Sequence, residues 1–282
     1  MTFLSRLLGK TNGLIGAVML GLVLVVAFLG AVWTPYDPLK SDLLNRFAAP
    51  GLAHPFGTDM FGRDVLSRLM RGAWVSVSIG LSTLVIPVVL GTVLGAAAGY
   101  FRGWFDRLLM MVLDALMAFP GLLIALGLMA VIGANRYGVI LALSFAYLPA
   151  VTRVVRGSVL SISQNEFVEA SAVMGNSRLY TLIVHILPNC LAPLIVLSTM
   201  MFGWVLLAES ALSFLGLGVP PPEPSWGNIL SEAKAHLMRY PLLGLLPGIC
   251  ISIALLGVNL LGDALRDELD PKSASAPSKE AI

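Results

Sequence analysis

Charge is scarce in this sequence. Asp, Glu, Lys and Arg supply 12% of its 282 residues, about half of the quarter that a water-soluble domain uses to cover its surface. That shortage points to lipid as the main solvent. The formal net charge of +2 gives no basis for a nucleic-acid partner. Cysteine is nearly missing. Cys190 and Cys250 both lie in apolar runs, which excludes a disulfide framework. The three histidines, His54, His185 and His236, are far apart, and none has a partner at metal-ligand spacing. No nucleophile–base or metal constellation stands near an expected membrane boundary, which argues against a membrane enzyme. Leu8, Gly9, Lys10 and Thr11 end like a phosphate-binding loop, but Leu4 stands where that motif needs glycine, and no strand precedes it. The chain is therefore expected to hold no cofactor and to hydrolyse no ATP.

Apolar residues are abundant, at 57%, with a mean hydropathy of +0.87. A spanning helix needs about 20 mainly apolar residues. Six segments meet that requirement: Gly13 to Trp33, Trp74 to Gly99, Leu108 to Gly133, Gly138 to Val155, Ile186 to Ala208 and Leu242 to Leu261. The expected fold is thus an all-α polytopic membrane protein. The first run is too long for a signal-peptide core and reads as an uncleaved anchor. Its domains divide into an N-terminus of residues 1–12, a first span of 13–33, an outer loop of 34–73, a core of 74–262 and a tail of 263–282. The tail ends in a Ser/Ala/Pro/Lys stretch expected to be disordered. Six spans place both termini on one side. Ten of the basic residues, Arg102, Arg107, Arg153 and Arg178 among them, would share that side, against eight on the other. Most of the eight sit in long loops, which count little in the positive-inside rule. The termini are therefore assigned to the cytoplasm.

Pro87, Pro120, Pro149, Pro193 and Pro247 lie within spans and read as packing kinks. Gly91, Gly95 and Gly99 form a doubled small-xxx-small stripe, which lets two helix backbones approach closely. In the outer loop, Thr58 or Asp59 can cap a short helix with Phe61, Val65, Leu66, Leu69 and Met70 on one side and Arg63, Arg68 and Arg71 elsewhere. That pattern predicts an amphipathic helix on the membrane surface or an ordinary capped loop helix. A second outer loop, 209–241, contains GVPPPEPSWG, a stiff turn. Its Trp226 suits contact with a partner, or the loop is a plug folded back over the bundle. Asp114 lies inside the third span and costs about 2.5 kcal/mol or more at the bilayer centre. It reads as a pathway group or as the structural partner of Arg107 or Arg153, with the structural pairing favoured.

One polar interruption faces the side of the termini: EASAVMGNSRLYTLIVHILPN, from Glu169 to Asn189, within a loop of residues 158–185. It reads as two short helices. Phe167, Val168, Ala170, Ala172 and Val173 form an apolar side of the first, and Glu166 and Glu169 share a neighbouring face. Gly175, Asn176 and Ser177 mark a stop and restart. The second helix, Arg178 to Ile186, runs into span five with Pro188 at the junction. An amphipathic helix of this kind suits docking in another protein's groove.

This stretch resembles the EAA loop of permease subunits in bacterial ATP-binding-cassette importers, whose pattern is Glu-Ala-Ala, three residues, Gly, nine residues, Ile, one residue, Leu-Pro. Glu169, Ala170, Gly175, Leu187 and Pro188 match it; Ser171 replaces the third small residue, and His185 stands where the general pattern has Ile. The ending HILPN, and the stretches HPFGTDMFGRDVLSR and ESALSFLGLGVPPPEPSWG, are similar to the C-type subunit of the dipeptide, oligopeptide and nickel branch. The resemblance runs from Trp33 to Pro271. It implies the type I importer permease fold in the bacterial inner membrane. The implied partners are a B-type permease in a heterodimer, two ATP-binding subunits that hold ATP and Mg, and an extracytoplasmic substrate-binding protein. It also makes Glu166, Glu169, Ala170, Ser171 and Gly175 the coupling residues toward the ATPase, with His185, Leu187 and Pro188 at the junction to span five. Glu223, Trp226, Asp59 and Arg63 become the expected contacts of the binding protein. Peptides are the expected solutes, with nickel, glutathione or another small solute, certain glycosides among them, as alternatives. The runner-up is a membrane subunit of the same class acting without a binding protein.

Overall fold

Hydrocarbon offers a backbone amide no water, so apolar runs of this length must close their hydrogen bonds internally, as helices. A computed structural model describes residues 3–269, and its longer regular elements are all helical. The end of the tail, where disorder is expected, lies outside the described residues. The helices are α1 (Phe3–Gly9), α2 (Thr11–Val32), α3 (Val65–Phe101), α4 (Gly103–Met117), α5 (Gly121–Ile132), α6 (Arg136–Ile162), α7 (Glu166–Val173), α8 (Arg178–Tyr180), α9 (Leu187–Phe214), α10 (Trp226–Ala233) and α11 (Leu242–Leu269), with a π-turn at Thr181–Ile186 joining α8 to α9. Among the described residues, five helical runs are long and apolar enough to cross a membrane, and the bent pair α4–α5 makes a sixth if counted as one span.

Two expectations change here. The third span is not one straight helix. It breaks into α4 and α5, bent by 89°. Pro120 has no N–H to donate and keeps Phe119 out of the helical region, so the turn falls at that point. The second span does not begin at Trp74 with a separate surface helix before it. A single helix starts at Val65, because Asp64 rather than Thr58 or Asp59 is the cap: its carboxylate accepts from Ser67 N (2.8 Å) and Ser67 Oγ (2.6 Å). Asp59 instead folds its own loop, accepting from the amides of Phe61 and Arg63. Arg63 and Arg68 turn inward, 6% and 2% exposed. Both bond Asp59 and Glu232. Of the three arginines expected on a charged side, only Arg71 stays partly exposed, 3.7 Å from Glu223.

The fifth helical run also extends past its expected end. The outer loop was expected to open at Glu209, yet α9 continues to Phe214 with Glu209 fully buried. Burial is tolerated because Ser213 Oγ donates to this carboxylate at 2.8 Å and Ser76 Oγ at 3.2 Å. The rest of the loop is the plug. Ser225 caps α10, and α10 lies among α3, α9 and α11. Trp226 is 2% exposed, with its indole N–H donating to Leu69 O at 3.1 Å. The expected exposed Trp226 is therefore corrected: an indole this large is turned into the bundle by its apolar area and its one donor.

The centre of the bundle is the contact between α3 and α6, which run side by side in the same direction. Gly91, Gly95 and Gly99 face Val151, Thr152, Val155, Arg156 and Val159 of α6. A Cβ on Gly95 would sit 2.5 Å from Thr152 O and 3.0 Å from Arg156 N. Around this contact, α2 and α11 pair on one flank, and α9 closes the other. Replacing Gly95 with Ala overpacks the contact and is expected to cost about 1–3 kcal/mol. Gly248→Ala in α11 meets nothing within 4 Å and serves as the control. Thermal unfolding in detergent should show a lowered midpoint for Gly95→Ala alone; equal midpoints would mean that the α3–α6 contact is loose.

Candidate functional site

The polar interruption lies at the end of the bundle where α3 and α6 finish and α9 begins. After Ile162 the chain turns tightly, with Gln164 N bonded to Ser161 O and Asn165 N to Ile162 O. The two-turn helix α7 follows. Glu166 and Glu169 lie in its first turn, where a carboxylate interacts favourably with the helix N-terminus. Both are exposed, as is Ala170. The expected apolar side is narrower than predicted. Only Val168 and Ser171, three residues apart, turn inward, while Phe167 is 44% and Val173 88% exposed. Two helical turns can press only one such stripe against the bundle.

The stop after α7 is a Schellman motif. Gly175 has φ of +81°, a conformation glycine adopts without a Cβ clash. Its amide bonds Ala172 O at 3.0 Å, and Asn176 N bonds Ser171 O at 3.3 Å. Ser177 caps the restart by accepting from Tyr180 N. Ser171 has a different place from the one expected. It is 4% exposed, and its hydroxyl meets Thr181 Oγ1 at 3.0 Å and Asn176 Nδ2 at 3.1 Å. These bonds tie α7 to the π-turn, so Ser171 holds the platform together and offers nothing to a partner.

The expected second helix, Arg178 to Ile186, is helical throughout but widens into the π-turn over its last six residues. Pro188 cannot donate to Val184, and the amide of Leu187 reaches back to Leu182 O instead. Asn189 Nδ2 covers the carbonyl of His185 at 2.7 Å. The His185 ring lies edge-on to Tyr180, 5.7 Å between centroids. Leu187 opens α9, and Pro188 occupies its first turn, where a missing N–H costs little. Val168, Leu182 and Ile186 belong to one apolar cluster with Val151, Val155 and Val159 of α6 and Cys190, Leu194 and Met201 of α9. The platform is thus joined to two spanning helices by buried contact. Its outer surface carries Glu166 and Glu169 beside Phe167, Val173, Met174 and Leu179, all exposed. A rigid, mostly apolar protrusion with two carboxylates is suited to seating in a complementary protein cleft.

The other expected site residues are scattered. Asp59, Arg63 and Trp226 are internal, and Glu223 is half-buried, 3.7 Å from Arg71. Of the four, only Glu223 presents much surface to a partner. Asp114 is ion paired with Arg153, one of its two expected partners, on the outside of the bundle. A second pair on the same two helices joins Asp106 Oδ2 to Arg156 Nη2 at 2.7 Å. Sequence reasoning missed Glu209, Arg68 and Glu232 as polar anchors. The spacing of Glu209 and Ser213, one helical turn apart, was a readable signal; the pairing of Arg68 with Glu232 bridges 164 residues and left none. Among the described residues, no group of three His, Cys, Asp or Glu side chains could hold a metal ion.

Comparison with known proteins gives consistent results. Residues 91–275 match the family described as "Binding-protein-dependent transport system inner membrane component". A putative peptide transport system permease protein of Brucella suis biovar 1 is 45% identical over 267 residues, 95% of this chain and 90% of that protein. A glutathione transport system permease protein of Escherichia coli O157:H7 is 40% identical over 273 residues, covering 96% and 89%. Among solved structures, an inward-facing MetNI methionine ABC transporter aligns with a TM-score of 0.55 at 17% identity, over 70% of this chain and 96% of that one, a likeness of fold.

The geometry makes Gly175 the stop on which the platform depends. A side chain forced into its left-handed backbone costs about 1–2 kcal/mol. In Gly175→Val, hydrogen exchange should rise across residues 171–186 while α3 stays protected. Unchanged exchange there would mean that the turn is held by something other than glycine.

Proposed function

The chain belongs to the family of binding-protein-dependent transport system inner membrane components, and from that membership we propose how its parts divide the work. It is a permease subunit of an ATP-binding-cassette importer, with the type I importer permease fold. It is not itself an enzyme; separate ATPase subunits hydrolyse the ATP. The family's description as binding-protein-dependent argues against the runner-up, a subunit working without a binding protein.

In the proposed arrangement the end bearing α7 and both termini faces the cytoplasm. The loop of residues 33–64 and the plug of residues 215–241 face outward. A B-type permease completes the pathway, and two ATP-binding subunits with ATP and Mg dock beneath. Arg102, Arg107 and Arg178, exposed at the α7 end, support this orientation. The solute is a di- or oligopeptide. The names of the two relatives, peptide and glutathione transport, favour peptide chemistry over nickel. A substrate-binding protein delivers it to the outer face, where Glu223 remains available and Asp59, Arg63 and Trp226 keep the receiving surface rigid from within.

The observation that carries the proposal is α7 itself: two exposed carboxylates on a short helix whose inner stripe is buried against α6, the π-turn and α9. Such a helix is free to enter a cleft and cannot move in it without moving the spans. ATP binding favours one arrangement of the ATPases over the other, and only a ligand with that differential affinity can shift a conformational equilibrium. Glu169, paired with a basic residue of the cleft, passes the shift to α6 and α9. In the complex reconstituted in lipid, Glu169→Lys should abolish binding-protein-stimulated ATP hydrolysis while the two permeases stay together. Wild-type stimulation and assembly in this variant would remove Glu169 from the coupling mechanism.

A further inference from the structure

Buried contacts divide the bundle into two ends. At the α7 end, one apolar cluster joins the platform to α3, α6 and α9. At the α10 end there are two: one binds α2, α10 and α11 to α3 and α9, and the other sets α5 against α3, α6 and α9. Only α3, α6 and α9 give buried residues to both ends. In α3 the change falls between Ile79 and Ala96, and Leu84 packs against all three clusters. In α6 it falls between Leu143 and Val151, with Tyr147 packed against the clusters on either side.

Each of these two helices carries a buried proline within the change, Pro87 in α3 and Pro149 in α6. Proline has no N–H, so the carbonyl four residues earlier loses its helical donor. For Pro87 that carbonyl is Thr83 O. A neighbouring helix replaces the donor: Ser144 Oγ of α6 donates to it at 2.9 Å, and both residues are fully buried. A second bond of the same kind ties α6 to α9, from the Tyr147 hydroxyl to Trp204 O at 3.3 Å. Trp204 follows the point in α9 where Met201 belongs to one end and Phe202 to the other.

A helix that lacks a rung of its hydrogen-bond ladder bends there more readily than elsewhere. Close-packed clusters yield little within themselves. Packed ends joined through weakened rungs move as two bodies about the join. We propose that this waist is the hinge about which the α7 end turns against the α10 end during transport. Pro87 and Pro149 are its pivots, and Ser144 is the positioning residue that keeps the open rung of α3 paired. The proposal rests on the coupling reading of α7, which supplies the force, and adds the place where the spans yield to it.

Thermal unfolding of the assembled importer tests the tie. Ser144→Ala should lower the midpoint in the otherwise wild-type chain. In a Pro87→Ala chain it should change nothing further, because the restored amide donates to Thr83 O; the cycle isolates that coupling. An equal drop in both backgrounds would overturn the tie.

The hinge is tested in the whole importer in proteoliposomes, with its binding protein and with Cys190→Ala and Cys250→Ala. Spin labels are placed in pairs on exposed positions: Ser161 with Met238 across the waist, Ser161 with Leu179 within the α7 end, and Met238 with Leu44 within the α10 end. Distances are measured without nucleotide and after trapping with ATP and vanadate. Only the pair across the waist should shift. Pro87→Ala combined with Pro149→Ala completes both ladders; it should abolish that shift and solute uptake while the ATPases still copurify. Wild-type uptake in that variant would overturn the hinge. So would distances within either end that move as much as the one across the waist, or no shift in an importer that transports. Glu169→Lys with both prolines in place separates the two readings: a shift that persists there removes α7 as the driver and leaves the hinge standing.

Discussion

Hydrocarbon will not accept an unpaired charge, and the architecture follows from where the chain puts the few charges it has. On insertion scales a charged side chain at the bilayer centre costs about 2.5–3.5 kcal/mol. The buried charged side chains among the described residues, Asp59, Arg63, Asp64, Arg68 and Glu209, each meet a partner. Glu209 takes hydroxyls from Ser76 and Ser213, and Arg63 and Arg68 take Asp59 and Glu232. These partners come from distant parts of the chain, so satisfying them also fixes the fold. Ser76 accepts from Trp226 N while donating to Glu209, and one hydroxyl thereby joins α3, α9 and α10. The outer plug is pinned by the same groups that keep charge out of lipid.

The opposite end is built on apolar contact and backbone geometry. Glycines in α3 allow α6 to approach closely, and the valines of α6 that meet them continue into the cluster that receives Val168, Leu182 and Ile186. A short helix of this kind has little stability alone. It exists because Ser171, Gly175 and Ser177 close its end and because its inner stripe is covered. The proposed consequence is mechanical: a force on Glu169 reaches two spanning helices through packed side chains.

Much of this was legible in the sequence, for identifiable reasons. Long apolar runs give helices because lipid leaves no alternative, and the stop at Gly175 followed from one residue type in one position. The glycine stripe announced a close helix contact, though not that α6 was the partner. Three features were hidden. The inward turn of Arg63, Arg68 and Trp226 depends on Glu232 and Leu69, which no local pattern links to them. The place of Ser171 was hidden because a small residue at a docking helix reads equally as clearance for a partner or as an anchor. The 89° bend at Pro120 was hidden because four other prolines sit inside unbroken helices. At those four, the surrounding bundle maintains the helix.

The central claim is that α7 is the seat of the ATPase. A cysteine at the exposed Ala170, in membranes holding the assembled importer, can be paired with cysteines scanned across the cognate ATPase and joined by a short thiol crosslinker. The account predicts crosslinks confined to one cleft of the ATPase, with a yield that changes when ATP binds. An active importer that gives no crosslink from Ala170→Cys to the ATPase, or gives crosslinks only to the second permease, would contradict it.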